Sequence, residues 1–308
     1  MRETDPQTSY PEPFAGFIEP ARIRPAFWRI LIGCVLVAAL LVGVFLTAFF
    51  LLEWMGLPSS FDWLQLEEAD RQTSAKGLIF LLSTLGVVWI ILPPVTLLLH
   101  KRGLRSLIGA SGGGTRFFLW GGFSAIAIVT ITLSLNFVLG AADFLEWQGT
   151  FDGWGGLALV AFLMIIFQAG AEELFFRGYL VQQMAVRFRN PLIWGLIPAI
   201  LFGAMHYNPD AGVVYRVGYV VLTMIFGLLM TYAVYRTGSL HFAMGLHIVN
   251  NWLAVMFFGV RDEAELSSLA LWLSPAPTAL ELAVYGVVEI VVIIGIVEIF
   301  VARRGNVA

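Results

Sequence analysis

Long apolar runs separated by short polar breaks dominate this chain. They cover approximately residues 30–52, 77–99, 117–139, 157–186, 192–207, 213–235, 240–258 and 280–301. About 20 apolar residues, coiled as an α-helix, cross the ~30 Å hydrocarbon layer of a bilayer. The runs are too long and too uniformly apolar for the alternating strands of a membrane barrel, and a helix satisfies its own backbone hydrogen bonds in hydrocarbon. The pattern predicts an all-α polytopic membrane protein of about eight transmembrane helices. Ahead of the first run, Pro6, Pro11, Pro13, Pro20 and Pro25 stand among polar residues, so residues 1–29 are expected to form a disordered cytoplasmic tail. The first run is too long for a cleaved signal peptide and is expected to be retained.

Lys and Arg positions set the expected orientation, because basic residues resist translocation. With the N-terminus inside, fourteen of the 18 Lys and Arg residues fall in cytoplasmic segments, and only Arg71, Lys76, Arg216 and Arg261 fall outside them. Both termini of this multi-pass protein are thus expected in the cytoplasm, with the chain in the cell membrane if its source is a prokaryote. The acidic stretches 62–70, 143–152 and 262–265 would face outward. Composition adds little to this picture: 59% of residues are hydrophobic and 13% charged, and a net charge of -3 suggests no nucleic-acid partner. Cys34 is the single cysteine, which excludes an internal disulfide and a Cys metal cluster.

Polar residues inside the apolar runs carry the candidate chemistry. AEELFFRGYL, residues 171–180, sets Glu172, Glu173 and Arg177 in an apolar neighbourhood, where charge is costly unless paired or used. On a helix Glu173 and Arg177 are four apart with the acid first, which favours an ion pair, while Glu172 points about 100° away. Downstream, Phe202 and His206 share one helix face, as do His247 and Asn251. Counted from the turn at residues 187–191, Glu172 and His206 both lie roughly 25 Å along their helices and can meet at one depth. A carboxylate and an imidazole within reach of one water form a general-base pair, and a second His with Asn can stabilise an oxyanion. This set suits amide hydrolysis. His100, beside Lys101 and Arg102, is expected at the interface and outside the site, as is His241. Glu289 lies near the middle of the last run, where it could bond to a neighbouring helix, line a water cavity or face the substrate, and structural use is favoured. A Gly-x-Ser-Gly stretch at residues 109–112 falls in a basic loop, and no His-Glu-x-x-His occurs.

Glu-Glu-x-x-x-Arg at Glu172, Glu173 and Arg177, Phe-x-x-x-His at Phe202 and His206, and His-x-x-x-Asn at His247 and Asn251 occur in that order. Together they resemble the CAAX protease and bacteriocin-processing (CPBP, Abi) family of intramembrane proteases. The resemblance covers about residues 157–258, the expected catalytic core of four helices, flanked by three helices within 30–140 and one at 280–301. It implies that Glu172 and His206 activate water, that His247 and Asn251 stabilise the oxyanion, and that Glu173 and Arg177 support the site. The implied substrate is a membrane-anchored protein or peptide. Should a metal such as Zn²⁺ be used, Glu172, His206 and His247 could be its three protein ligands, with water in the fourth position. A cavity open to the cytoplasm is expected. Two non-enzymatic readings remain, a scaffold or immunity protein of the same fold and a proton-coupled transporter; the latter is weakened because no broken spans recur in two halves.

Overall fold

The computed structural model describes residues 10–56, 71–109, 112–138, 145–261 and 266–305. Helices make up nearly all of it: α1 (Glu12–Ile18), α2 (Phe27–Trp54), α3 (Arg71–Gly86), α4 (Val88–His100), α5 (Leu104–Ile108), α6 (Gly114–Val138) and α7 (Trp154–Glu173). The last continues without a break as a wider π-helical stretch, Leu174–Val181, and ends in α8 (Gln182–Ala185). A π-helical turn at Leu192–Leu196 leads into α9 (Ile197–Ala204), followed by α10 (Val213–Thr237), α11 (His241–Met256) and α12 (Ala279–Gly305). A small sheet joins the loops at one end. In it β3 (Trp272–Ser274) pairs antiparallel with β1 (Glu146–Trp147) and parallel with β2 (Phe258–Val260). The protein is an all-α polytopic membrane protein with this one loop sheet.

Six of the expected spans are long and apolar enough to cross a bilayer: Phe27–Trp54, Gln72–His100, Gly114–Val138, Trp154–Ala185, Val213–Thr237 and Ala279–Arg303. The other two expected spans are shorter. Leu192–Ala204 is a shorter apolar helix and α11 has 16 residues. At ~1.5 Å per residue these reach about 20 and 24 Å, less than the hydrocarbon thickness. α11 nevertheless connects the two ends of the bundle. Its first turn is held by Leu240 N donating to Ile108 O, and its last meets the sheet through Trp272 N donating to Phe257 O.

One end of the bundle gathers the basic segments. There the 101–109 loop meets residues 238–240, Arg236 pairs with Glu298 at 2.6 Å, and the Arg116 guanidinium lies 4.9 Å from the Phe300 ring. The opposite end carries the sheet, with Trp154 Nε1 donating to Leu269 O. The acidic stretches 62–70 and 262–265, and residues 143–144 of the stretch 143–152, lie outside the described residues, as does Ser111.

The expectation of a disordered tail is corrected for residues 10–29. Phe14, Phe17 and Ile18 are buried, an i, i+3, i+4 set that gives α1 an apolar face. Phe14 packs against Trp194 and Tyr235 with ring centroids 5.1 and 5.2 Å apart. Of the prolines that suggested disorder, Pro11 and Pro13 open α1 and Pro20 opens the 3₁₀ turn Glu19–Ile23, where a missing N–H costs nothing. Residues 1–9 lie outside the described residues. His100, expected at the interface, is fully buried; its ring nitrogens meet Tyr179 Oη at 3.0 Å and Arg24 O at 3.2 Å.

α11, which carries two of the candidate residues, is seated on α6 by a crossing of small residues. A Cβ added to Gly245 would lie 2.0 Å from Phe118 O, and one added to Gly121 would lie 2.1 Å from Phe242 O. Such close backbone approach is how helices pack where lipid supplies no hydrophobic drive. Gly245→Val is expected to destabilise the protein by roughly 1–3 kcal/mol or more through overpacking. Gly43→Val on α2, where nothing lies within 4 Å, should leave the melting temperature unchanged. Thermal unfolding in nanodiscs checks both, and equal melting temperatures for the two variants would contradict this packing.

Candidate active site

Glu173 is the hub of the site. Its Oε1 accepts from Arg177 Nη1 at 2.8 Å and from His247 Nδ1 at 2.8 Å, and the side chain is 0% exposed. Arg177, 1% exposed, also donates through Nη2 to Gly227 O at 3.2 Å and lies 4.6 Å over the Phe202 ring. The π-helical stretch begins at the residue after Glu173, so the wider turns carry Arg177 and keep its reach to Glu173. Insertions of this kind recur at functional sites.

Glu172 faces a different set of partners. Its Oε1 accepts from Gln168 Nε2 at 2.7 Å, while Oε2 has no hydrogen-bond partner and lies 3.5 Å from His247 Nε2. Gln168 Oε1 in turn accepts from Asn251 Nδ2 at 3.1 Å. His247 thus stands between the two carboxylates, fixed by Glu173 on one ring nitrogen and turned toward Glu172 with the other. Its ring packs edge-on to Phe202 and Phe226, at 5.8 and 5.6 Å between centroids.

His206 stands apart from this chain of contacts. Its Nδ1 donates to Phe202 O at 2.8 Å, which leaves Nε2 as the free ring nitrogen. It lies within electrostatic reach of Glu172 and His247 but hydrogen-bonds to neither. His206 and His247 share a cavity of about 70 Å³, room for a few waters, with Asn250, Asn251 and Glu289 as the other polar walls besides Thr223 and Tyr219. A larger groove of about 640 Å³ beside Tyr10, Trp194 and Tyr235 contains no carboxylate or imidazole, so it is not the chemical centre.

All six sequence-predicted residues therefore fall in one region, but their grouping differs from the expected one. The imidazole held against the carboxylates is that of His247, whereas His206 lines the cavity and hydrogen-bonds to neither carboxylate. Asn251 reaches Glu172 through Gln168. Gln168, Asn250 and the Gly227 carbonyl are partners that motif reading passed over; Gln168 stands four residues before Glu172 on one helix face, a signal that was there to use. The residues named as ligands if a metal is used do not converge. Among the described residues no three His, Cys, Asp or Glu side chains form a group that could hold a metal ion. His247 Nδ1, moreover, is already committed to Glu173.

Depth follows from helix counting. Gly227 is ten residues before the end of α10 at the basic end, about 15 Å inside. Tyr219, Leu222 and Thr223 of the cavity wall lie further along the same helix, about 21–27 Å from that end. The cavity accordingly sits toward the sheet end, which runs against the expected opening on the basic side.

The Glu173–Arg177 pair generates a stability test. Arg177→Ala strands a buried carboxylate and is expected to cost about 3–5 kcal/mol. Glu173→Gln combined with Arg177→Met should recover part of that loss, so a double-mutant cycle read by thermal unfolding is expected to be non-additive. Simple additivity would mean that the two side chains do not interact.

Comparison with known proteins bears on the same helices. Residues 154–253 match the family described as Type II CAAX prenyl endopeptidase Rce1-like. The chain is also 32% identical over 166 residues to the uncharacterized protein YyaK of Bacillus subtilis (strain 168), an alignment that covers 53% of this chain and 54% of that protein. It thus spans about half the length of the curated relative it matches. No solved structure matches the chain. Every candidate residue from Glu172 to Asn251 lies inside the segment that is similar to the Rce1-like CAAX prenyl endopeptidase family.

Proposed function

We propose that this protein is an intramembrane endopeptidase that cleaves a peptide bond of a membrane-associated protein or peptide with a glutamate-activated water. The observation that carries the reading is the unpartnered Oε2 of Glu172, held 3.5 Å from His247 Nε2 beside a cavity large enough for water. In this reading Glu172 takes a proton from water while the water oxygen bonds to the scissile carbonyl carbon. His206, through its free Nε2, accepts a hydrogen bond from the same water and aims it. The His247 ring and the side-chain amides of Asn251 and Asn250 donate to the oxyanion that develops. Glu172 then returns its proton to the nitrogen as the C–N bond breaks, giving a carboxylic acid and an amine. Glu173 and Arg177 take no proton; they fix the His247 ring.

Purified protein in liposomes can be tested against quenched fluorescent peptides, one set prenylated at a C-terminal Cys and one anchored by an apolar helix. Glu172→Gln is expected to fold normally and to lose roughly 10² to 10⁴ in kcat. Near wild-type turnover by that variant would remove Glu172 from the base role. The set that is cleaved identifies the kind of anchor the enzyme accepts.

Orientation decides which substrates reach the cavity. If the basic end faces the cytoplasm, the cavity lies in the outer half of the membrane and suits peptides anchored or exported there. In intact cells, with Cys34→Ser as background, Asn190→Cys is expected to resist an impermeant thiol reagent applied from outside, and Thr223→Cys to react with it. The opposite pattern would favour lipidated cytoplasmic C-termini as substrates.

A further inference from the structure

The last span brings to the cavity a carboxyl that the mechanism above leaves without a task. Glu289 lies near the middle of α12, ten residues from its start and nine before Glu298, so it sits roughly 13–15 Å from either landmark. It lines the cavity together with His206, His247, Asn250 and Asn251. Its Oε2 is enclosed and without a hydrogen-bond partner, and no Arg, Lys or His pairs with it among the described residues. The two carboxyls at the end of α7 are each held by a side chain: Glu173 by Arg177 and His247, Glu172 by Gln168. A solitary carboxyl within a membrane is costly to keep, and a purely packing role would be filled better by Leu or Met.

The walls of the cavity are chemically unequal. On α11, the amides of Asn250 and Asn251 and the ring of His247 offer N–H donors, which suit a substrate carbonyl. A bound peptide brings backbone N–H groups as well, and each one left unpaired in an apolar cavity weakens binding. Glu289 Oε2 is an acceptor on the cavity wall to which no protein group donates. We infer that Glu289 accepts a backbone N–H of the bound peptide in the cavity it shares with the carbonyl-binding amides, and so fixes the strand beside the reactive water. The inference rests on the peptidase reading. Glu289 makes and breaks no covalent bond; it is a binding contact supplied from outside the 154–253 segment.

The test uses a reporter peptide that the reconstituted protein cleaves, together with depsipeptide analogues in which one backbone N–H near the scissile bond is replaced by ester oxygen. Glu289→Leu is expected to lower kcat/KM for the peptide about 10- to 100-fold, mainly through KM. Glu289→Gln, which keeps an acceptor oxygen, should recover most of that loss. One depsipeptide should be cleaved poorly by wild type to the same degree and lose nothing further in Glu289→Leu. Unchanged kcat/KM in Glu289→Leu, or an equal loss for every depsipeptide, would overturn the contact. If Glu172→Gln is inactive while Glu289→Leu matches wild type, this inference falls and the peptidase reading stands. If wild type cleaves no reporter, the peptidase reading falls, and modification by dicyclohexylcarbodiimide then decides the role of Glu289. Mass spectrometry of the unaltered protein should find Glu289 modified, with saturating peptide suppressing the reaction. Modification indifferent to peptide, or absent, overturns the contact, and this arm also decides the matter should Glu289→Leu fail to fold.

Discussion

Two opposite charges that cannot reach water set the geometry of this protein. Glu173 and Arg177 are 0% and 1% exposed, and a charge so placed persists only when paired and hydrogen-bonded on its remaining sides. Meeting that demand ties four elements together. Glu173 ends α7 and grips His247 of α11; Arg177, from the π-helical stretch, grips the Gly227 carbonyl of α10 and lies on Phe202 of α9. The pair acts less as a source of stability than as a fixing point, since an apolar pair of like volume could hold the helices as well or better. What an apolar pair could not do is orient an imidazole. With Nδ1 of His247 bound to Glu173, Nε2 is aimed at Glu172, so the ion pair sets the reactive geometry one residue away.

Adjacency in sequence gives the two glutamates unlike surroundings. Successive helical residues point about 100° apart, so Glu173 turns into the packed interior and Glu172 toward the cavity side. Glu173 accepts from Arg177 and His247 through one oxygen, whereas the hydrogen bond to Glu172 comes from the neutral Gln168. The carboxylate that anchors the histidine and the one toward which its other nitrogen turns are thereby two different side chains.

How much of this was legible in the sequence depends on whether the signal was local. The long spans were, because ~20 apolar residues record a physical thickness. The Glu173–Arg177 pair was legible from its spacing, and it survives the change to π-helical turns because it begins where those turns begin. The N-terminal segment was misread because prolines were taken as disorder, although Phe14, Phe17 and Ile18 already spelled an apolar helix face. The short helices were taken for full spans because hydropathy measures apolarity and not reach. Least legible was the pairing across helices: nothing in the spacing of Phe202–His206 and His247–Asn251 distinguishes which imidazole meets the carboxylates. That choice is made by Gly121 and Gly245, whose missing side chains let α11 settle on α6 at backbone distance.

The short reach of α9 is itself part of how the site works. A helix that ends inside a membrane exposes carbonyls and amides that hydrocarbon cannot satisfy, and such ends are tolerated where they are buried in protein or line a wet cavity. α9 ends at Ala204; His206 and Tyr207 still donate their backbone N–H groups, to Gly203 O and Ala204 O, before the chain leaves the helix. His206 stands at that end with its side chain folded back on Phe202 O, so the free ring nitrogen meets the cavity and not lipid. A full-length span would have carried the apolar helix surface past this level and closed the space. The proposed hydrolysis would need water at the depth of Glu172, and a helix that stops short leaves room there for polar backbone, imidazole and solvent together.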